Sequence, residues 1–311
     1  MFGWFMESNP SASPWFYRSV FEALPRCEMD QTGGVATAGE SDRIAYSNEF
    51  GTVAEEYDRS RPGHPEALFD DIISLYGCAS PTVVEVGAGT GKGTVPLAQR
   101  ARFVTGLEPR AEMADLARRN CAAFANVSIV VTTLEAWPIP AEPFDLVVAG
   151  QSWHWVEPGV GYSKARSLLH DLGGLAIFWT RPCFEVTPGG ERLAAAYRTH
   201  APGLMGLGPW FPGFNPSQAD VRGVGPGSWA PLAVAGQIER SDHFEPPAIR
   251  SYPWNMTHAS SEYVAQLRTL PEHNDLGLDR RERLFGAVED AIATQGLDMQ
   301  YETVLLFASA R

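Results

Sequence analysis

Two periodicities alternate along the middle of the chain. Residues 65–77, PEALFDDIISLYG, place Leu68, Ile72 and Leu75 on one helical face, between a proline suited to a first turn and a closing glycine. TVVEV at 82–86 follows as a β-branched strand, and VPLAQR at 95–100 as a short helix. RFVTGLE (102–108), VSIVVTTLE (127–135), FDLVVAGQ (144–151) and LAIFWT (175–180) read as further strands. PRAEMADLARRNCAAF (109–124) and VGYSKARSLLHDLG (160–173) read as the helices between them. Strands apolar almost throughout, separated by helices, predict a parallel sheet covered on both faces, an open, doubly wound α/β domain.

The alternation stops after Thr180. Residues 201–231 hold six prolines and seven glycines in 31 positions, which predicts an inserted loop region. Beyond it AVAGQIERSDHF (233–244) reads as a strand, SSEYVAQLRTL (260–270) and LDRRERLFGAVEDAIATQG (278–296) as helices, and YETVLLFASAR (301–311) as a closing β-rich segment. Ahead of the core, Pro14–Leu24 fits a short amphipathic helix and 32–42 a loop. Trp4, Phe5, Trp15, Phe16 and Phe21 there want covering, as a lid or as a dimer arm, which leaves a homodimer open. The expected division is 1–44 as extension, 45–180 as core, 181–258 as insertion or cap returning to the sheet, and 259–311 as closing helices and strand.

The chain has 311 residues, enough for a substantial core, and 44% hydrophobic content is that of a globular protein. A net charge of −13 disfavours nucleic acid, whose phosphates need clustered cations. Cys27, Cys78, Cys121 and Cys183 form no CxxC pair, so neither a zinc knuckle nor a disulfide framework is expected, and a reducing cytoplasm fits. The apolar runs near the start are short and broken by Pro, Glu and Arg, so neither a signal peptide nor a membrane partner is expected.

After the first strand, VEVGAGTG (84–91) ends in three glycines at alternate positions. Such a loop lets backbone approach a ligand closely. It is not a phosphate loop: Gly93 stands where G-x-x-x-x-G-K-[ST] needs a hydroxyl, and Val86 where it needs glycine. Nor does it complete a dinucleotide fingerprint, since Lys92 takes the place of its third glycine.

The stretch Glu85-Val86-Gly87-Ala88-Gly89-Thr90-Gly91 resembles the first motif of class I S-adenosylmethionine-dependent methyltransferases. Glu108, before Pro109, ends the second strand where that family carries the acid for the ribose hydroxyls. Thr133, Leu134 and Glu135 stand at the adenine edge, with Thr133 where many members have Asp, and Phe144–Val147 leads to Gly150 and Gln151 beside the methionine moiety. The resemblance implies a Rossmann-like, mostly parallel seven-stranded sheet, S-adenosylmethionine as cofactor, and Glu85, Gly87, Ala88, Gly89 and Gly91 around it.

FGTVAEEYDRSRPGHPEALFD (50–70) and GQSWHWVEP (150–158) further resemble the small-molecule branch that includes trans-aconitate-methyltransferase-like proteins. That likeness implies an N-terminal helix folded over the cofactor, with Tyr57 and Arg61 at the methionine carboxylate. His154, just past the fourth strand, is the candidate general base, because its ordinary pKa lies near working pH. Trp153, Trp155 and Trp254 are candidates to shape a substrate pocket. A carboxylate substrate would need cations instead of a base, and Arg181 and Arg268 are the candidates. His243, His258 and His273 lack ligand spacing, are read as surface or pocket-lining, and no metal is expected. The expected function is methyl transfer to a small molecule, foremost at a hydroxyl or carboxylate oxygen. A cyclase that binds the same cofactor without methyl transfer and a non-catalytic binder remain alternatives.

Overall fold

The computed structural model describes residues 54–157, 159–183, 188–205, 212, 231–292 and 296–311. Expectations for 1–44 and for most of 201–231 fall outside these residues. Strands β1 (Thr82–Val86), β2 (Phe103–Leu107), β3 (Val127–Val130), β4 (Phe144–Gly150), β5 (Leu169–Cys183), β6 (Ala248–His258) and β7 (Leu297–Ser309) form one sheet in the order β3-β2-β1-β4-β5-β7-β6. Strands β3 to β5 pair in parallel, while β7 runs antiparallel to both β5 and β6. The order reverses at β1, so the carboxyl ends of β1 and β4 flank the crevice where such sheets bind ligands.

Each sheet face is covered by the helices that the periodicity demands. Helices α1 (Ala54–Ser60), α2 (Glu66–Tyr76), α3 (Thr94–Ala98) and α4 (Ala111–Asn120) precede or connect the first strands. Leu68, Phe69 and Ile72 of α2 and Leu97 of α3 meet Val83, Leu146, Phe178 and Leu305 on one face. On the other face, Tyr162 and Ala165 of α5 (Gly161–Ser167) and Val234 and Ile238 of α7 (Pro231–Arg240) meet Val84, Val147, Ile177 and Val304. Gly77 ends α2 with φ 84°, a left-handed conformation that glycine adopts without strain, and its N–H returns to the Ile73 carbonyl.

A second apolar cluster forms a helical layer. Helices α6 (Pro188–His200), α8 (Ser260–Arg268), α9 (Pro271–Asn274) and α10 (Leu278–Ile292) follow, with α6 and α8 packed on α10. Leu193, Tyr197, Tyr263, Leu284, Phe285 and Val288 close on Leu297, Met299 and Tyr301 of β7. Pairing of β5 with β7 ends at Cys183↔Gln300, whereas β6 and β7 continue through Met256↔Met299 to His258↔Leu297. The helical layer is therefore built on a two-stranded ribbon that outruns the parallel sheet, past the carboxyl end of β5.

Three expectations need correction. Residues 233–240 are helical because Val234, Ala235 and Ile238 bury one face at helical spacing, after Pro231 in the first turn. The segment 160–173 is helical only to Ser167; Leu169 already pairs with Phe144, and the glycines lie inside β5. Strand β6 had no counterpart in the sequence reading, because Pro253 interrupts AIRSYPWNMTH; an edge strand tolerates the missing N–H.

Candidate functional site

The glycine loop leaves β1 at the mouth of the crevice. Gly87, Gly89 and Gly91 have φ of 72°, 58° and 91°. Gly87 is needed twice over: its conformation is left-handed, and a Cβ there would lie 2.4 Å from Cβ of Ser152. The Gly87 and Ala88 amides donate to the carbonyl of Leu107, at 2.8 and 2.9 Å. The Gly89 amide donates to Oε2 of Glu108 at 2.9 Å, and the Arg110 amide to Oε1 at 3.0 Å. Burial raises the pKa of Glu108, opposed by those two amides and by the charge of Arg110.

Glu85 lies beneath the loop. Oε2 accepts the hydroxyl of Thr94 at 2.5 Å, and Oε1 fills the space where a Cβ on Gly93 would sit, 2.3 Å away. Burial, opposed by Thr94 and reinforced by the charge of Glu108, pushes its pKa up to about 8. Its carboxyl anchors the start of α3 through Thr94.

Helix α1 packs on α4 and α8. Asp58 bridges α1 to the loop: it accepts Nδ2 of Asn120 at 3.1 Å and lies 3.7 Å from Nζ of Lys92, while Asn120 also holds the Thr90 carbonyl at 2.9 Å. Tyr57 lies on this helix, and the placement of its side chain falls outside the described residues. Arg61 is half-buried and close to the helical layer, where burial and then its charge push His273 down to about 3, while burial raises Tyr301 against the charge of Arg61.

At the expected adenine edge, Thr133 is exposed and its hydroxyl accepts the Ala136 amide at 3.2 Å. Leu134 is buried, and Oε1 of Glu135 accepts the Glu157 amide at 2.9 Å, tying this loop to the one after β4. Pro109 is exposed behind Glu108.

Beyond β4, Gly150 packs its backbone on the Phe178 ring, and Gln151 has φ 56°, one of two left-handed non-glycine residues among those described. Its Nε2 donates to the Thr180 carbonyl at 2.6 Å, so the turn is held open by β5. Trp153 is buried against Tyr162, and the Trp155 ring lies 4.8 Å from that of His154, tilted by 46°. Nδ1 of His154 accepts the indole N–H of Trp179 at 3.3 Å, and burial pushes the half-buried ring down to about 4. An indole nitrogen only donates, so one of the two nitrogens a general base would use is already occupied.

The remaining candidates are spread out. Arg181 is buried at the end of β5 and pairs with Oε2 of Glu302 at 2.6 Å. Trp254 stacks on Tyr301 at 4.7 Å and donates to Thr303 at 3.1 Å. Arg268 already has a carboxylate: both its Nη atoms bond Glu282 at 2.8 Å, and it lies 4.6 Å over the Phe285 ring. His258 and His273 are fully buried, against the sequence expectation, with hydrogen bonds to Tyr301 at 2.6 Å and Tyr197 at 2.8 Å.

Sequence reasoning missed Asp58, Arg110, Trp179 and His64. His64 is joined to Thr180 through Nδ1 at 3.1 Å, and burial and then the Lys92 charge push it down to about 4. Only its position in RPGHP, beside the Arg-Pro pair, signalled it. Among the described residues no group of three His, Cys, Asp or Glu side chains is arranged to hold a metal, and no helix is long and apolar enough to cross a membrane.

The residues present fit an adenosyl cofactor. Glu108 has used two of its roughly four lone-pair directions, leaving acceptors for a diol. The loop beside it carries no side chain at its three glycines, and the buried Thr90 hydroxyl has no partner among the described residues.

Sheet order, glycine loop and strand-end acid together resemble those of the class I S-adenosylmethionine-dependent methyltransferases. Residues 83–173 match the family profile described as a methyltransferase domain. Over 133 residues the chain is 32% identical to an uncharacterized methyltransferase of Mycobacterium tuberculosis, covering 43% of this chain and 52% of that protein. An uncharacterized methyltransferase of Anoxybacillus flavithermus is 34% identical over 140 residues, 42% of this chain and 64% of its own length. The chain thus spans about half the length of the mycobacterial relative it matches. A structure described as that of a proposed type II methyltransferase from Anaeromyxobacter dehalogenans superposes with a TM-score of 0.53 at 16% identity, over 81% of this chain and 97% of that one, a likeness of fold.

Proposed function

We propose that the protein is an S-adenosylmethionine-dependent methyltransferase acting on a small molecule at oxygen. The observation that carries this reading is the Gly89–Glu108 junction, where a side-chain-free loop and a strand-end carboxylate share one hydrogen bond at the mouth of the sheet. Glu108 would hold the ribose, the loop from Gly87 to Gly91 the backbone of the cofactor, and Gly150 and Gln151 its methionine end. When bound, the cofactor supplies a methyl group activated on a sulfonium. Helix α1, tied down by Asp58, and the helical layer on the β6–β7 ribbon exclude water from above.

The net charge of −13 supports a small acceptor over a nucleic acid. Trp155 and His154, half-buried just past the carboxyl end of β4, offer a flat apolar ring and a polar hydrogen to an oxygen acceptor. Calorimetry with S-adenosylmethionine and with a nicotinamide dinucleotide tests the cofactor, and S-adenosylhomocysteine release against a panel of hydroxy and carboxylic acids tests the reaction. Binding of the first and product formation with an oxygen acceptor are expected; absence of binding, or turnover of a bound substrate without S-adenosylhomocysteine, would refute it.

A further inference from the structure

We propose that Trp179 is a positioning residue that fixes the tautomer of His154, so that the ring presents Nε2–H to the acceptor as a hydrogen-bond donor and not as a base. The inference rests on the methyltransferase reading for what the ring faces, and on its own geometry for which nitrogen carries the proton.

The chemistry is restrictive. An indole has one polar atom, a donor, and a neutral imidazole has one donor and one acceptor nitrogen. Nε1 of Trp179 lies 3.3 Å from Nδ1 of His154, which makes Nδ1 the acceptor and puts the ring proton on Nε2. A neighbour that carried a carbonyl or a carboxylate would impose the opposite tautomer and leave Nε2 with a lone pair. Nε2 makes no hydrogen bond among the described residues, and it is not sealed in the interior. The burial that pushes the ring's pKa down keeps it neutral, in agreement with a donor role that needs no added charge.

The two partners are held by different elements. Trp179 is buried in β5, paired with Val304 of β7, and belongs to the core face that α5 and α7 cover. His154 lies in the single 3-10 turn Trp153–Trp155, with its ring against Trp155. The strand therefore dictates the tautomer of a residue on a loop. Arg181 follows two positions along β5, on the same face as Trp179, where its guanidinium pairs with Glu302.

The test is nitrogen-15 spectroscopy on the full chain labelled at histidine, at neutral pH and without ligand. His154 signals are assigned by their loss in His154→Gln. Wild type is expected to show protonated Nε2 and bare Nδ1 at His154, and Trp179→Phe a mixture of both tautomers. Protonated Nδ1 in the wild type overturns the proposal, and an unchanged single tautomer in Trp179→Phe removes Trp179 from it. Should Trp179→Phe fail to fold, His154→Ala serves: the indole N–H resonance of Trp179 must shift toward that of a non-bonded indole, and no shift overturns the assignment. Because the tautomer is read without cofactor, a chain that shows it but does not bind S-adenosylmethionine would sink the functional reading alone.

Discussion

The amide of Gly89 donates to Oε2 of Glu108 across 2.9 Å, so the loop after β1 and the acid that ends β2 form one unit although 19 residues separate them. Glu108→Gln keeps an acceptor for that amide but loses the charge-assisted bonds to a diol. Such bonds contribute roughly 1.5–3 kcal/mol each. Affinity for S-adenosylmethionine measured by calorimetry should fall by about 10- to 100-fold, with an unchanged melting temperature. Wild-type affinity in the variant would remove Glu108 from the cofactor site.

Glu85 makes stability depend on pH. Burial raises its folded pKa from 4.5 to about 8, so the folded state keeps a proton that the unfolded chain releases. Its stabilising contribution is complete below the unfolded value, falls as pH rises through the window between 4.5 and about 8, and levels off above. Glu85→Gln, uncharged at every pH, should gain on the wild type by on the order of 5 kcal/mol across that window. Denaturant unfolding at pH 5 and pH 9 checks this. Parallel curves for the two proteins would show that Glu85 is ionised in the fold.

Asp145 acts in the opposite sense. Burial alone would raise its pKa, but the Thr82 amide and the hydroxyls of Tyr76 and Thr82, with His170, hold it well below the usual carboxylate range. The stability it confers is present above the unfolded value, near 4, and is lost as pH falls toward the folded one. Asp145→Asn should cost about 2 kcal/mol at neutral pH and flatten the acid limb of the unfolding profile. An acid limb identical to that of the wild type would contradict the assignment.

Arg268 serves as a negative control for the carboxylate-binding expectation. Its guanidinium is engaged by both oxygens of Glu282 and by the Phe285 ring within the helical layer. Arg268→Ala should lower the melting temperature slightly and leave affinity for a carboxylate acceptor unchanged. A changed affinity with unchanged stability would return Arg268 to the site.

Legibility followed sequence separation. Strands β1, β2, β4 and β5 were readable because they are largely buried on both faces and so read as apolar runs, edge strand β3 because Val127, Ile129 and Val130 keep such a run, and the loop, Glu108 and Gly150–Gln151 because they follow those runs directly. Edge strand β6 was not, since one proline and a half-exposed face blur its pattern. Helix α7 was read as a strand because AVAG supplies apolar residues without telling which period they follow. Asp58 with Lys92, and Trp179 with His154, meet only after the sheet has formed, and no local pattern encodes such pairs. The helical layer hid its polar interior for the same reason: His258 and His273 look like solvent residues until Tyr301 and Tyr197 arrive to satisfy them.

The place of β7 between β5 and β6 sets an order of assembly. Among the described residues strand β6 has no neighbour other than β7, so its eleven residues, and the helices that rest on the ribbon beyond β5, have no partner edge there until Leu297 onward has emerged and paired. The parallel strands can form from earlier contacts, whereas the helical layer waits for the last strand of the sheet. A ribosome-bound chain stalled before Leu297 would thus expose the β5 edge and leave that layer without its ribbon.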